Sequence, residues 1–222
     1  LQFAEADEEY KYHINANEKA YSAVKSYLDT YIEYSSDEDD KVRKYIFALL
    51  ASLPEFIDSI IPVFLKRLSE EKEAEVRAYI LRGLKKISEP QPTFYELFNR
   101  ILREDTERAI KTVVALNIVE MGSQVETQQA VSVLLDIIRD YTPDFQLELM
   151  RLPQVGLSSI AESISSLSLE TKRKALNALV DTLRKPENTQ VANWITYAID
   201  EIISKRNNPQ VTMNIPDIQV YY

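Results

Sequence analysis

The sequence predicts an all-α protein, an α-solenoid in which about five helix hairpins stack into a right-handed superhelix. Three observations carry this prediction. The stretch DDKVRKYIFALL (39–50) and the stretch EAEVRAYILRGL (73–84) share Val-Arg-x-Tyr-Ile at a distance of 34 residues. Apolar residues recur at i, i+3, i+4 and i+8, which is one face of a helix. The 222 residues include only 3 glycines, too few for the tight turns of an all-β fold.

The second helix of each hairpin carries the repeated apolar positions. They are Val42, Tyr45, Ile46 and Leu50, then Val76, Tyr79, Ile80 and Leu84, then Ile110, Val113, Val114 and Ile118. Trp194 and Ile195 occupy the same register in a later copy, and a weaker copy begins at Phe145. Apolar residues 12 and 8 positions earlier indicate a first helix before each copy. One hairpin cannot bury both apolar faces, so neighbouring hairpins are expected to stack.

The periodicity assigns nine helices and three segments to the chain. The helices are predicted over 17–34, 40–52, 55–69, 74–88, 92–103, 106–121, 125–140, 170–184 and 188–205. The repeat domain covers 17–206, between an acidic N-terminal segment (1–16) and an extended C-terminal tail (207–222). The tail has alternating apolar residues and is expected to cover the last repeat or to pair with a second chain.

Residues 152–168 interrupt the repeat. The segment contains Pro153 and Gly156, and its later apolar residues again have helical spacing. We interpret it as a broken second helix followed by an extra short helix. A tolerated insertion and a hinge or binding insertion both fit this pattern.

A charged pair also recurs with the period of 34. An acid lies six residues before a base, and the base lies in the first turn of the second helix. The pairs are Asp37 with Arg43, Glu71 with Arg77, and Asp105 with Lys111. Acids just before a helix stabilise it, because the N-terminal end of a helix carries a partial positive charge. In a stack, each base would also approach an acid of the neighbouring hairpin, so these six residues are predicted to form a structural ladder.

An acid, an apolar residue and then Arg or Lys at the start of a second helix resemble HEAT repeats, including the short repeats of phycobilisome-lyase-like proteins. The resemblance covers residues 17–206. It implies a solenoid of helix hairpins and a hydrogen-bonded ladder between repeats. Tetratricopeptide repeats share the period of 34, but they require a glycine and small residues at positions where this chain has neither.

Composition narrows the classes of function. The net charge is −9, and residues 1–40, with 11 acids and 3 bases, contribute −8 of it. This balance disfavours nucleic acid and anionic membranes as partners. The chain has no cysteine and a single histidine, His13, so we expect no catalytic residues, no metal site and no cofactor. It has no apolar run of about 20 residues, the length of a membrane span. A cytoplasmic location is expected, since a chain without cysteine suits a reducing compartment.

These features predict a non-enzymatic scaffold or adaptor, monomeric, that binds a protein partner along the solenoid surface. Six polar residues off the apolar stripe are the candidate contacts. They are Lys44, Arg82, Lys85, Lys86, Thr112 and Asn193. The resemblance leaves two enzymatic alternatives, a bilin lyase or chromophore chaperone and a DNA glycosylase. The stretch SSDEDD (35–40) lacks the ligand pattern of a calcium loop. Phosphorylation of Ser35 or Ser36 is an alternative role for it.

Overall fold

A computed structural model describes residues 22–23, 26–87, 92–122 and 127–204. This part of the chain is all-helical and contains no strand. Its α-helices are α1 (26–34), α2 (Asp40–Leu50), α3 (Ile57–Glu70), α4 (Ala74–Ile87), α5 (Pro92–Glu104), α6 (Arg108–Met121), α7 (Thr127–Arg139), α8 (Pro143–Leu149), α9 (Leu157–Ser165), α10 (Leu169–Leu183) and α11 (Ala192–Ser204). The predicted N-terminal segment, C-terminal tail and His13 lie outside the described residues.

Local sequence signals set several helix ends. Asp39, Thr142 and Ser168 each precede a helix, and their side chains accept a hydrogen bond from a backbone N–H of its first turn. Gly122 ends α6 with φ of 78°, a left-handed conformation that glycine adopts without steric cost. The prediction of an all-α chain is confirmed for the described residues.

The helices pack in a regular order. The helices α2, α4 and α6 lie side by side in sequence, and α9 continues this row by contacting α6 and α11. On the other side, α3 packs on α4, α5 on α6, and α7 on both α6 and α10. The buried side chains form one continuous apolar cluster from Leu28 to Ile202.

The segment 152–168 contains α9, and this helix is central to the packing. Most of its residues are buried, and it makes extensive contact with α11. The preceding turn places Gln154 at φ of 56° and starts α9 with the cap residue Gly156. The chain thus leaves the short helix α8 and returns through α9 to the row that contains α2, α4 and α6.

Gly83 permits a close approach of three helices. A Cβ atom at this position would lie 2.5 Å from Cε2 of Phe64 in α3 and 3.2 Å from Cβ of Ala51, just after α2. Phe64 in turn packs edge-on against Phe47, with ring centroids 5.1 Å apart. The absent side chain therefore lets α3 and the end of α2 contact α4 directly.

The apolar stripe assigned from sequence is wrong at the ends of the described stack. Tyr45 is 77% exposed and Trp194 is 46% exposed. Tyr79, the counterpart of Tyr45 in α4, is half-buried against the core. The difference follows from position, because α2 and α11 lie at the ends of the described row. In α1, Leu28 is buried, whereas Tyr27 and Tyr34 are exposed.

No single helix within the described ranges has the length and apolar character needed to cross a membrane. In the same ranges, one bent pair of helices, Asp40–Leu50 with Pro54–Glu70 at 91°, meets both criteria when its two members are taken together.

Two buried tyrosines differ in how their hydroxyl groups are satisfied. Tyr95 donates a hydrogen bond to the carbonyl oxygen of Met121 at 2.9 Å. Tyr141 is 1% exposed, packs edge-on against Phe145, and its hydroxyl makes no hydrogen bond with any described residue. Burial raises the pKa of the Tyr141 hydroxyl well above its usual range.

We therefore expect Tyr→Phe to have opposite effects at these positions. Tyr95→Phe should lower the free energy of unfolding by about 1 kcal/mol, because it removes a hydrogen bond, whereas Tyr141→Phe should leave it unchanged or raise it by about 1 kcal/mol. The folded-state pKa of Tyr141 lies above its unfolded value. As the pH rises above about 10, Tyr141 therefore ionises in the unfolded state first, and the free energy of unfolding falls. Urea unfolding at pH 7 and pH 10.5 should show a smaller alkaline loss for Tyr141→Phe than for the wild type. An equal destabilisation of both variants at pH 7 would contradict this account.

Candidate functional site: a polar cleft between α4, α6 and α9

Ion pairs join α2 to the α3–α4 loop and α4 to the α5–α6 loop. Arg43 of α2 donates two hydrogen bonds to Glu71, from Nε to Oε2 at 2.8 Å and from Nη2 to Oε1 at 3.1 Å. Arg77 of α4 donates from Nη2 to Oδ2 of Asp105 at 2.7 Å. Each pair joins residues 28 positions apart. The same contact therefore occurs at the α2–α4 and the α4–α6 interfaces.

These contacts favour the charged forms of the bases. The hydrogen bond to Glu71 raises the pKa of the Arg43 guanidinium, although partial burial opposes the shift. Lys44, next to Arg43, contacts Glu75 at 2.6 Å and Asp40 at 3.1 Å. The hydrogen bond to Glu75 is the main cause that raises the pKa of Lys44. The α2–α4 interface thus holds two cations on acids of the α3–α4 loop and the first turn of α4.

Two of the predicted ladder residues have other roles. The Asp37 carboxylate accepts from the backbone N–H of Asp39, and it is the Asp37 carbonyl that accepts from Arg43 at 2.8 Å. Lys111 forms no ion pair with a described residue. One turn earlier, Arg108 lies 4.1 Å from the Phe145 ring centroid and donates to the carbonyl of Ile137 at 3.0 Å. Arg108 of α6 therefore contacts α7 and α8, and burial lowers its pKa.

A polar cleft of about 840 Å³ opens between α4, α6 and α9. Its lining combines cations, carboxylates, an amide and serine hydroxyls. The lining residues are Arg82, Lys85, Glu120, Gln154, Ser159, Glu162, Ser163, Ser165 and Ser166. A volume in the range of about 300–1,000 Å³ is typical of ligand-binding clefts.

Arg82 is the fixed point of this cleft. Its Nη1 donates to Oδ1 of Asn117 at 3.0 Å and to Oε2 of Glu120 at 3.1 Å. Asn117 is fully buried, and its Nδ2 donates to the carbonyl of Leu81 at 2.9 Å. Nη2 of Arg82 also reaches Oε1 of Gln154, at 3.5 Å. Because Arg82 is bonded to two residues of α6 and to the turn before α9, its guanidinium has little freedom to move.

The remaining lining groups supply hydrogen-bonding capacity. Lys85 contacts Glu120 at 2.7 Å, and its side chain is 31% exposed. The Ser165 and Ser166 hydroxyls donate to carbonyls of α9, and these donations leave the oxygens able to accept. The cleft can therefore donate through Lys85 and accept through the serines. Its two cations and two carboxylates balance in formal charge.

The six candidate contacts are not brought together on one surface. Arg82 and Lys85 both line the cleft, where Glu120 neutralises the expected basic patch. Lys86 is exposed on α4 and Asn193 is exposed on α11. Lys44 lies at the α2–α4 interface with 17% of its side chain exposed.

Thr112 is not accessible to a partner. Thr112 is fully buried, and its hydroxyl donates a hydrogen bond to the carbonyl oxygen of Arg108 at 2.9 Å. The expectation of an exposed contact is wrong because α6 is buried on almost every side. Residues 112 to 119 of this helix are all buried.

Sequence reasoning missed Asn117, Glu120, Gln154 and the serines of α9. Asn117 had a usable signal, since it is an amide inside the apolar run VVALNIV (113–119). Such a residue needs a hydrogen-bonding partner when it is buried. The others are unremarkable polar residues in sequence, and only the packing of α9 beside α4 and α6 brings them together.

Comparison with protein-family profiles, curated proteins and solved structures found no match to this chain. The candidate site consequently rests on the geometry of the cleft and on the contacts that hold it.

Removal of Arg77 should destabilise the fold more than removal of Arg103. Both side chains of the Arg77–Asp105 pair are mostly buried, with 19% and 13% exposed. We expect Arg77→Ala to lower the free energy of unfolding by about 1–2 kcal/mol. Arg103 is exposed in the last turn of α5, so Arg103→Ala is the matched control and should cost less than about 0.5 kcal/mol. Equal losses in chemical denaturation would mean that the pair has no structural role.

Proposed function

We propose that the chain is a HEAT-like α-solenoid, a right-handed stack of about five helix hairpins, and that it acts as a non-enzymatic protein-interaction module. The partner is a protein, and an extended segment of it binds in the cleft between α4, α6 and α9. The absence of cysteine from the sequence suits a reducing compartment such as the cytoplasm.

The order of helix contacts supports the solenoid. Adjacent second helices α2, α4 and α6 pack side by side, and each of the first helices α3 and α5 packs on its own second helix. In this arrangement the fourth unit pairs α7 with α9, and α8 is the additional element. The fifth unit pairs α10 with α11, which are in contact. The ion pairs of Arg43 and Arg77, 34 residues apart, support a repeated interface.

The fixed guanidinium of Arg82 is the observation that carries the proposed binding site. A peptide in extended form presents both N–H and C=O groups that must be satisfied when it is bound. Lys85 on the α4 wall offers a matching donor, and the serine oxygens on the α9 wall offer acceptors. Since Arg82 is already held by Asn117 and Glu120, the α4 wall is preorganised, which lowers the entropic cost of binding.

Site-specific photocrosslinking tests this proposal. A benzophenone amino acid is placed at Ser166, an exposed residue of the cleft, and at Asn177, an exposed residue of α10, as the control. Both variants are irradiated in lysate of the cells of origin, and crosslinked peptides are identified by mass spectrometry. We expect the Ser166 variant to capture one segment of one protein, and the Asn177 variant not to capture it.

A second substitution links the capture to the chemistry of the cleft. Lys85→Ala removes a charge-assisted hydrogen bond, so capture at Ser166 should fall about tenfold, equivalent to about 1.4 kcal/mol. Identical crosslinks from both positions, no defined segment at Ser166, or undiminished capture after Lys85→Ala would each contradict the proposed site.

A further inference from the structure

The turn between α1 and α2 presents one of two adjacent serines to solvent. Ser35 is fully buried, and its hydroxyl donates to the carbonyl of Ile32 at 2.6 Å. Ser36 is exposed in a non-helical stretch that ends at Asp39. A kinase needs an accessible hydroxyl on a segment that can extend into its active site. Only Ser36 of this pair meets that requirement.

An arginine from the neighbouring helix pair already contacts the Ser36 hydroxyl. Nη2 of Arg67, in α3, donates to Oγ of Ser36, and its Nε donates to Oγ of Ser35 at 3.3 Å. Nη1 of the same guanidinium contacts Oε2 of Glu70 at 2.8 Å. Ser36 and Arg67 share a small cleft with two further bases and four acids, which are Arg43, Lys72, Asp37, Glu70, Glu71 and Glu73. A phosphate on Ser36 would therefore form at a guanidinium that lies within bonding reach.

The residues after Ser36 supply a recognition signal. Asp37, Glu38, Asp39 and Asp40 follow it directly, and Glu38 and Asp39 are exposed. A run of carboxylates after a serine suits a kinase whose substrate groove is lined with basic residues, because complementary charge steers and orients the segment. The run of acids alone would only be a solvated turn. The exposed Ser36 hydroxyl, which faces Arg67, is the group in this turn that a kinase would phosphorylate.

We propose that Ser36 is a phosphorylation site for an acid-directed serine kinase, and that Arg67 binds the resulting phosphate. The γ-phosphoryl group of Mg·ATP passes to Oγ of Ser36, the bond to the ADP oxygen breaks, and the hydroxyl proton passes to the base of the kinase. The phosphoserine carries about −1.5 to −2 charges at pH 7. It competes with Glu70 for Arg67 and forms a charge-assisted link between the α1–α2 turn and α3.

The first test is phosphorylation of the full chain by casein kinase 2 with Mg·ATP, mapped by mass spectrometry. We expect phosphate on Ser36 and none on Ser35, and loss of that product in Ser36→Ala. Asp39→Asn is the matched recognition variant, because asparagine keeps the N-cap of α2 while removing a charge. It should reduce the rate of incorporation about tenfold, the scale of one lost ionic contact. No incorporation of phosphate at Ser36, or an unchanged rate for Asp39→Asn, would contradict the proposal that an acid-directed kinase recognises Ser36.

The second test concerns the acceptor and does not depend on the kinase. Phosphoserine is incorporated genetically at position 36, in the wild-type background and in Arg67→Gln, and both proteins are titrated by ³¹P NMR. A neighbouring guanidinium favours the dianion, so the second pKa of the phosphate, about 6 in a free chain, should be lower with Arg67 than with glutamine. Equal phosphate pKa values in the two folded proteins would exclude Arg67 as the acceptor.

Discussion

The ion pair between a base on one helix of the row α2, α4, α6 and an acid in the loop that precedes the next is the contact on which the architecture depends. Arg43 and Arg77 occur 34 residues apart, and each reaches an acid 28 residues further along the chain. The apolar faces alone would allow adjacent helices to slide, because hydrophobic burial is not directional. A bidentate or short charge-assisted contact has a defined geometry. It therefore fixes the register in which α2 meets α4 and α4 meets α6.

The same register forms the polar cleft between α4, α6 and α9. Once α6 is aligned on α4, the buried amide of Asn117 faces Arg82, and Glu120 faces both Arg82 and Lys85. The turn around Gln154 then returns the chain so that α9 closes the third wall. The proposed binding surface is thus a consequence of how neighbouring helices are joined. Arg82 and Lys85 both pair with Glu120, and the cleft has no net basic character.

Much of the fold could be predicted because apolar residues with a period of 3.6 indicate helices, and a motif that recurs at a constant spacing indicates repeats. Both patterns can be detected in the sequence without knowing which helices pack against one another. Burial is different, because it depends on what lies beside a helix. Tyr45 and Tyr79 occupy the same repeat position, but only Tyr79 has a described second helix on either side. Thr112 was misplaced for the related reason that α6 is enclosed on more sides than its neighbours. The serines of α9 gave no signal, since their role comes from a contact between distant segments.

Double-mutant cycles at the two repeated ion pairs test the central claim most directly. Arg43 with Glu71, and Arg77 with Asp105, are each replaced by alanine singly and together, and the free energy of unfolding is measured for every variant. The account predicts a favourable coupling of about 1 kcal/mol or more at both pairs, above the range of about 0.2–1 kcal/mol found for exposed pairs. A coupling near zero at either pair would contradict the claim that one repeated interaction aligns the stack.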